Sequence, residues 1–590
     1  MSDAEPVFLP GYGWDEDKEP TIFARFNPGT TILTSGYQTT PQFRPLPIDI
    51  VFERDTAVTL RDGTTIYVDV FRPARAEKVP VIVAWSPYGK DGGTHPRTWN
   101  MFNVLGVDQS ELSGLAKFEG PDPAFWCANG YAVCNPDTRG VRHCGGDSVF
   151  PGEQDGRDGH DLVEWLAAQD WCTGKVGLAG NSYLAMSQWF TAAEQPPHLH
   201  AIAPWEGMSD LYRDLVLRGG MPDLAFPAMW SGNYLGNNRR EDLVAEAQRY
   251  PLVNDLWRSK AARLADITVP AYVVASYSNL IHTLGTFRGW REIGSQEKWL
   301  RIHRTMEWPD FYDENSKRDL LRFFDRFLKD LDNGWEETPP VRYALLDLEG
   351  DDRVEVPATE FPPAGVAQVK YYLDAPSMTL NADQPPDEGQ VSYDSQMDRQ
   401  GVSFTVCFDT ATEVIGYPKA RLWVQSDGWD DMDLFVFLQK LDAAGNVLEQ
   451  FNVPNHSDVL QNLTQSGSAI LKYKGSNGRL RVSLRHLDET RSTTSIPVHT
   501  FDRVEKLAPG ETVPVEIDMF PIGLTFRAGQ QLRLRVCGHN LLGGVMPNLS
   551  TGSARPENLG TVIPDNHGRH VIHTGGTYDS YLQLPVKQRD

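Results

Sequence analysis

Alternating apolar and polar positions begin near Ile50 and then give way to continuous apolar runs. Residues 65–73 combine this alternation with β-branched side chains, which predicts a strand. Residues 79–86 are apolar almost throughout, as expected of a central strand buried on both faces. Residues 131–137 predict the next strand, and residues 158–169 have helical spacing. This order predicts an α/β fold with a mostly parallel sheet between helices.

The strand and helix alternation stops between Trp205 and about residue 265. Helical stretches such as residues 240–249 are broken there by Gly and Pro. An insertion at this point would lie over the carboxyl ends of the strands, where open α/β sheets bind their ligands. The pattern therefore predicts a helical cap over a binding site.

Sheet elements then resume and end near Pro339. Strands are predicted at 270–276 and 298–303, and helices at 284–291 and 316–331. After Pro339 short alternating strands recur between turns, which is typical of an all-β sandwich. The predicted divisions are an N-terminal arm (1–48), an α/β domain (49–204 and 266–338), a helical cap (205–265) and a β-sandwich domain (339–590).

Composition limits the class of protein. The 590 residues are too many for one ordinary domain, and a hydrophobic share of 40% provides ample core material. The formal charge of −24 disfavours binding to nucleic acid or to an anionic membrane. Neither a basic, apolar leader nor a long apolar run is found, so a cytoplasmic protein is expected.

Cysteine usage and the glycine pairs point to no bound metal or cofactor. The six cysteines are sparse and form no CxxC pair, so buried, reduced thiols are expected. The glycine pairs make no phosphate loop, and no zinc or calcium motif is found. The expected cofactor is none, and the expected metal is none.

Residues 175–190 are the most informative stretch for function. An apolar strand leads through Gly180 to Ser182, and an amphipathic helix follows. This is the pattern of a nucleophile elbow, in which a serine on a tight turn is held clear of the backbone. A serine that merely caps a helix leaves the same short pattern, so the surrounding α/β unit carries the interpretation.

Further passages give the chain a resemblance to a known family. They are Ser86–Gly89, Asp137–Gly140, Glu164–Trp171, Gly180–Tyr183, Ala201–Pro204 and Ala528–Leu534. In kind and order they resemble the cocaine esterase and X-Pro dipeptidyl-peptidase family of serine hydrolases. The resemblance implies an α/β-hydrolase domain with a helical cap and a C-terminal jelly roll of the galactose-binding-like type, with no cofactor. It also implies that the Tyr88 hydroxyl and the backbone N–H of Tyr183 form the oxyanion hole.

The catalytic triad departs from the family pattern. Asn279 stands where the family has an aspartate, and Glu307 stands where it has the histidine. An asparagine does not stabilise an imidazolium as a carboxylate does. Because His282 lies on the same predicted loop as Asn279, we expect Ser182 as nucleophile, His282 as base, and Glu307 holding the imidazole in its tautomer and orientation.

Other candidates for the site remain open. His303 is the second candidate for the base, Asp310 is the reserve for Glu307, and Asn279 is a further reserve catalytic candidate. The predicted cap contributes aromatic and methionine side chains that suit a hydrophobic acyl or aryl group, although core packing explains these side chains equally well. These possible substrate-binding residues are Trp205, Met229, Trp230 and Tyr234.

The expected function is cleavage of a carboxylic ester through an acyl-enzyme on Ser182, with an amide as the second choice of substrate. The same acyl-enzyme would serve an X-Pro dipeptidyl-peptidase, an acylase or an acyltransferase. A catalytically inactive binding protein is the alternative outside enzymes. The expected partner is a small-molecule ester or amide, with neither nucleic acid nor membrane, and the chain is a possible homodimer.

Overall fold

The computed structural model describes residues 4–13, 15, 25–91, 105–231, 234–397, 400–453, 471–542 and 565–587. Part of the predicted N-terminal arm lies outside these residues. Within them, no helix is both long and apolar enough to cross a membrane.

An 11-stranded sheet organises the first part of the chain. Its strands are β2 (Gly29–Leu33), β3 (Ile50–Thr59), β4 (Thr65–Pro73), β5 (Val79–Val83), β6 (Ala132–Pro136), β7 (Cys172–Asn181), β8 (Leu199–Trp205), β10 (Ala271–Ser276), β11 (Lys298–His303), β12 (Val341–Leu345) and β13 (Arg353–Ala358). Two short strands, β1 (Phe8–Leu9) and β9 (Arg240–Glu241), pair with each other outside this sheet. The sheet order is β13-β12-β11-β10-β8-β7-β5-β6-β4-β3-β2. From β12 to β6 all neighbours are parallel, so the carboxyl ends of these strands meet at one edge.

The parallel strands are buried almost completely, as their apolar sequences predict. Every residue of β5 and of β10 is buried. The predicted strands at 65–73 and 298–303 have the bounds that the structure shows, and those at 79–86, 131–137 and 270–276 are each slightly shorter in it. The α/β fold class is therefore confirmed in this part of the chain.

Helices cover the sheet and connect its strands. Those formed by the described residues are α1 (Pro123–Ala128), α2 (Glu153–Ala167), α3 (Tyr183–Ala193), α4 (Ala225–Ser231), α5 (Leu243–Arg249), α6 (Asp255–Ser259), α7 (Thr283–Glu292), α8 (Glu307–Tyr312) and α9 (Glu314–Lys329). Between β8 and β10 the helices are short, and a π-helical turn at Tyr212–Val216 adds to them. The predicted helix at 240–249 is wrong in its first residues, because Arg240 and Glu241 pair with β1 and Asp242 caps α5.

The second half of the chain is an all-β unit, as predicted. A 13-stranded sheet contains β14 (Val366–Asp374), β15 (Thr379–Asn381), β16 (Gly389–Asp394), β17 (Gly401–Cys407), β18 (Thr412–Gly416), β19 (Lys419–Asp427), β20 (Asp433–Leu441), β23 (Asn477–Arg481), β24 (Thr512–Asp518), β25 (Ile522–Phe526), β26 (Gln531–Cys537), β27 (Arg569–Thr574) and β28 (Tyr581–Lys587), and the short strands β21 (Gln450–Phe451) and β22 (Lys472–Tyr473) pair beside it. Its strands are mostly antiparallel, with β15 and β17 as a parallel pair.

The first sheet extends past two of the predicted domain divisions. Strand β2 lies before residue 49, and strands β12 and β13 lie after residue 338, yet all three pair into that sheet. Short alternating strands look alike in the sequence whichever sheet they join. Only the pairing of β12 with β11 shows that the α/β sheet reaches Ala358.

The all-β unit also contacts the loops at the carboxyl ends of β10 and β11. The backbone N–H of Met306 donates to the carbonyl of Asn452 at 2.5 Å, and Asn452 Nδ2 donates to Ser278 Oγ at 3.2 Å. Gly523 lies so close to the Tyr277 ring that an added Cβ would be 2.5 Å from Tyr277 Oη. The second unit thus helps to position the loops that carry His282 and Glu307.

Candidate active site

Ser182 occupies a sharp turn between β7 and α3. Its φ is 60°, a conformation that side-chain-bearing residues adopt rarely and at a cost of about 1–3 kcal/mol. Its N–H donates to the carbonyl of Glu206 at 3.0 Å, which holds the turn against the end of β8. The Ser182 side chain makes no capping hydrogen bond, so its hydroxyl remains available for chemistry.

Two glycines permit the close packing around this turn. Gly180 has φ 138°, and a Cβ there would lie 2.5 Å from Leu184 Cβ. A Cβ on Gly207 would lie 2.6 Å from Ala185 Cβ. Larger residues at either position would push α3, and with it Ser182, away from the strand ends.

His282 lies beside Ser182, at the start of α7. Its Nε2 is 3.1 Å from Ser182 Oγ, which is hydrogen-bonding distance. Asn279 Oδ1 accepts the backbone N–H groups of Ile281 and His282, both at 3.1 Å, and so builds the turn that presents the imidazole. Burial lowers the pKa of His282 to about 3, so the ring is neutral at neutral pH and available as a proton acceptor.

Glu307 lies on a different side of the imidazole from the one the sequence suggests. In a serine triad the acid binds Nδ1–H of the histidine. Here Glu307 Oε2 lies 3.8 Å from His282 Nε2, the nitrogen that also faces Ser182. His282 Nδ1 is buried and makes no hydrogen bond to a described residue. The expectation that Glu307 holds the imidazole in its tautomer and orientation is therefore corrected: α8 brings the carboxyl to the Ser182 side of the ring.

The Glu307 carboxyl carries a proton more readily than an exposed glutamate does. Burial raises its pKa well above the ordinary value, and the neighbouring carboxyl groups of Glu206 and Glu119 raise the pKa further. Asn181 and Asn279 oppose the rise as hydrogen-bond partners. Near neutral pH this carboxyl is consequently neutral.

Glu119 is a site residue that the sequence analysis missed. It is buried on the loop before α1, and its Oε1 accepts the indole N–H of Trp308 at 2.9 Å. Its carboxyl interacts with Ser182, and burial raises its pKa to about 8. The available signal was an acidic residue in the loop between two parallel strands, β5 and β6, which places it at the ligand-binding edge of the sheet.

The reserve candidates His303 and Asp310 have other partners. His303 Nε2 lies 2.5 Å from Glu206 Oε1, and Ser276 Oγ donates to the second oxygen of Glu206 at 3.1 Å. Asp310 forms a two-pronged ion pair with Arg301, with 2.9 Å between Arg301 Nη1 and Asp310 Oδ1. The structure thus brings His282 to Ser182, whereas His303 faces Glu206.

Tyr88 lies in the loop that follows β5, beside the elbow. Its ring packs edge-on against Tyr183, with 5.7 Å between centroids, and its hydroxyl accepts the indole N–H of Trp230 at 3.1 Å. Burial and the nearby Glu119 raise its pKa well above 10, so Tyr88 keeps its proton and can donate it in a hydrogen bond. Tyr183 begins α3, so its N–H is among the first-turn donors that have no helical partner.

The four possible substrate-binding residues lie in two different places. Trp230 and Tyr234 pack with Tyr183 near the elbow, and Met229 is half-buried beside Trp230. Trp205 instead belongs to the core: its ring packs edge-on against Phe311 at 5.3 Å between centroids, with the Arg301 guanidinium 5.0 Å from it. The suggestion that Trp205 lines the pocket is corrected, because the last residue of β8 points its side chain into the packing around α8 and α9.

Two parts of the chain match known protein families. Residues 62–264 match the X-Pro dipeptidyl-peptidase (S15) family, and residues 333–583 match the X-Pro dipeptidyl-peptidase C-terminal non-catalytic domain. A cocaine esterase of Rhodococcus is 35% identical over 156 residues, which cover 26% of this chain and 24% of that protein.

Solved structures extend the likeness to nearly the whole chain. A CocE/NonD family hydrolase of Staphylococcus aureus is 33% identical, covers 95% of this chain and 97% of its own, and superposes with a TM-score of 0.84. An α-amino acid ester hydrolase shares the fold, with a TM-score of 0.64 at 15% identity over 91% of this chain and 96% of its own. The expected family is confirmed: the chain belongs to the cocaine esterase and X-Pro dipeptidyl-peptidase family of serine hydrolases, with an α/β-hydrolase fold and a C-terminal all-β domain.

Proposed function

We propose that this hydrolase cleaves a carboxylic ester through an acyl-enzyme on Ser182. The observation that carries the proposal is the 3.1 Å distance between His282 Nε2 and Ser182 Oγ at the tip of the elbow. A serine hydroxyl is a weak nucleophile unless a neighbouring base removes its proton. A neutral imidazole within hydrogen-bonding distance is such a base.

In the acylation step the Ser182 proton moves to His282 Nε2 as Oγ attacks the ester carbonyl carbon. The negative charge that develops on the carbonyl oxygen is held by the Tyr88 hydroxyl and the Tyr183 N–H. The imidazolium then donates its proton to the leaving alcohol. Water attacks the acyl-enzyme in the same way, with His282 again as proton acceptor, and releases the acid.

Glu307 is the acidic side chain nearest to the imidazolium that forms in this cycle. At 3.8 Å from Nε2 its neutral carboxyl offers the imidazolium a dipole rather than a full negative charge, and it does not fix the ring tautomer. The aromatic side chains of Trp230 and Tyr234, with Met229, form an apolar wall that suits the acyl or aryl part of the ester. The family also contains peptidases, and an X-Pro dipeptidyl-peptidase is the second candidate because both family matches carry that name.

Several wider features belong to the same proposal. The short helices between β8 and β10 act as a cap over the carboxyl ends of the strands, and the all-β unit is a jelly roll of the galactose-binding-like type. The division of the chain into arm, α/β domain, cap and jelly roll goes with this proposal, with β2, β12 and β13 assigned to the α/β domain whose sheet they join. A homodimer belongs to the same proposal. No disulfide joins any of the six cysteines, all of which lie in the part of the chain that the structure describes, and this supports a reducing, cytoplasmic location.

The test compares wild type with Ser182→Ala, His282→Ala and His303→Ala for p-nitrophenyl ester hydrolysis and for labelling by a fluorophosphonate. Ser182→Ala should abolish both, and His282→Ala should lower kcat by about 10⁴-fold or more. His303→Ala should retain more activity than His282→Ala after correction for folded protein. A wild type that neither hydrolyses nor labels would support the binding-protein alternative.

The products identify which member of the hydrolase family this is. X-Pro p-nitroanilides cleaved faster than esters would favour the peptidase. Added alcohols or amines that divert the acyl group into a new ester or amide would favour the acyltransferase. Release of the free acid alone supports the esterase.

A further inference from the structure

The loop over residues 117–121 holds an acidic residue against the elbow. Glu119 has φ 66°, an unfavourable conformation for a glutamate, and its side chain is 2% exposed. On one side, Lys117 Nζ donates to the carbonyls of Ser86 and Pro136 at 2.9 and 2.7 Å. On the other, the Tyr312 hydroxyl donates to the carbonyl of Gly120 at 3.2 Å. Buried contacts on both sides of Glu119 thus hold this unfavourable backbone conformation in place, as is common at functional sites.

One oxygen of the Glu119 carboxyl has a hydrogen-bond partner, and the other lacks a fully formed hydrogen bond. Oε1 accepts the Trp308 N–H, whereas Oε2 is buried and makes no fully formed hydrogen bond with a described residue. The Ser182 side chain is close enough to lower the pKa of this carboxyl, although burial outweighs it and raises the pKa to about 8. At neutral pH the carboxyl therefore carries a proton, which needs an acceptor.

Besides Trp308, the side chain that hydrogen-bonds to the Glu119 carboxyl is that of Ser182. The other titratable side chains that feel its charge are Tyr88, Tyr312 and Glu307. The Tyr312 hydroxyl donates to Gly120, and the Tyr88 hydroxyl accepts from Trp230. Ser182 Oγ has two acceptor sites and one proton, so it can accept from Glu119 while donating to His282.

We propose that Glu119 is a further catalytic residue, which in its protonated form donates a hydrogen bond to Ser182 Oγ and so directs the Ser182 proton towards His282 Nε2. This inference rests on the proposed function of Ser182 and His282. An ionised Glu119 accepts hydrogen bonds only, so it competes with His282 for the Ser182 proton. The enzyme is therefore active with Glu119 protonated and loses activity as that carboxyl ionises.

The proton balance of the step is simple. As Oγ attacks the ester carbonyl carbon, the Ser182 proton transfers to His282 Nε2, and an Oγ lone pair forms the new C–O bond. Glu119 keeps its own proton throughout and continues to donate to the same oxygen. No further reactant is needed.

The test uses Glu119→Gln and Glu119→Ala in the full-length protein. Glutamine is a permanent donor that imitates the protonated acid, whereas alanine removes the donor. Asp155→Asn is the matched control, because Asp155 is also buried, also accepts an indole N–H (Trp85, 2.8 Å), and also has a pKa raised by burial, to about 7. The readouts are kcat for a p-nitrophenyl ester and the rate of fluorophosphonate labelling from about pH 6 to about pH 10, with Ser182→Ala as the blank.

In wild type and in Asp155→Asn, both rates should fall on the alkaline side with a midpoint near pH 8, the pKa of Glu119. In Glu119→Gln this fall should be absent, so the ratio of alkaline to neutral kcat rises by about fivefold or more over wild type. Glu119→Ala should be slower than Glu119→Gln by about tenfold or more at neutral pH, with KM little changed. Thermal unfolding midpoints show whether each variant is folded, and the comparison of Glu119→Gln with wild type suffices if Glu119→Ala does not fold.

A wild-type rate that does not fall with pH, or a fall that persists in Glu119→Gln, overturns the inference while leaving Ser182 as the nucleophile. A Glu119→Gln variant as slow as Glu119→Ala also overturns it, because a neutral donor would then be insufficient. If wild type neither hydrolyses nor labels, the proposed function fails, and this inference fails with it.

Discussion

Glu307 Oε2 lies 3.8 Å from His282 Nε2, on the edge of the imidazole that also faces Ser182. In the usual serine triad the acid lies at the opposite nitrogen and holds the ring by a hydrogen bond. The buried Nδ1 of His282 has no such bond to a described residue. The orientation of this imidazole is instead set by the turn that Asn279 builds and by packing.

Glu307→Gln should therefore lower kcat less than the loss of a triad acid does. Because burial keeps the Glu307 carboxyl neutral, an amide of the same shape changes little, and kcat should fall by about tenfold or less. Replacing a triad aspartate by asparagine costs about 10⁴-fold. Steady-state kinetics with a p-nitrophenyl ester measure the difference, and Glu314→Gln, a partly exposed glutamate nearby, is the control. A loss of about 10³-fold or more would mean that Glu307 acts as an ionised triad acid.

The acid side of the pH profile should lack the usual histidine limb. The pKa of His282 is lowered to about 3 by burial, so the ring stays unprotonated as the pH falls from neutral to about 5. kcat/KM, which reports the free enzyme, should thus be flat across that range once the folded fraction is constant. A midpoint near the ordinary histidine pKa of about 6.5 would contradict the burial of a neutral imidazole.

Tyr88→Phe should lower kcat by about 10²–10³-fold with little change in KM, because it removes one donor from the developing oxyanion. The phenylalanine ring can keep the contacts with Tyr183 and Phe118, so the variant should fold. Tyr212→Phe is the control: it also removes a buried hydroxyl, which donates to the Pro251 carbonyl at 2.7 Å, outside the proposed machinery. Equal losses of kcat in both variants would assign Tyr88 a structural role only.

Asp310→Asn should destabilise the fold rather than alter the chemistry directly. It would remove the closest charged partner of the buried Arg301 guanidinium and leave, among the described residues, only the more distant Glu355 carboxylate, at 3.9 Å, so the free energy of unfolding should fall by up to about 3–5 kcal/mol. Urea denaturation at neutral pH measures this cost. Asp330→Asn, which breaks the exposed ion pair with Lys175, should cost about 1 kcal/mol or less.

The same pair gives a pH dependence with a defined sign. Burial raises the pKa of Asp310, but the charge of Arg301 outweighs it and holds the pKa below the ordinary value. A lowered pKa contributes stability that is present above the unfolded value of about 3.9 and is lost as the pH falls through the folded value. The difference in the free energy of unfolding between wild type and Asp310→Asn should therefore shrink as the pH falls through that range. If the difference stays constant, the charge pair is not the source of the lost stability.

The sequence by itself determined the fold class, the elbow and the family. The apolar runs at 79–83 and 271–276 predict buried parallel strands because nothing polar interrupts them. Gly180 and Ser182 predict the elbow, because the chain can make so tight a turn only where the side chains are small or absent. These features depend on neighbours along the chain, and local patterns encode them well.

Tertiary structure decided what meets at that elbow. His282 and His303 were both candidates for the base, and they are separated by one helix and one strand, so no local pattern ranks them. The turn at Asn279 brings His282 to Ser182, whereas His303, the last residue of β11, lies against Glu206. Glu119 reaches the site because a strained turn aims it there, and the Trp205 ring lies in the core because it packs against Phe311. Side-chain direction and burial depend on distant neighbours, and those become known only when the chain is folded.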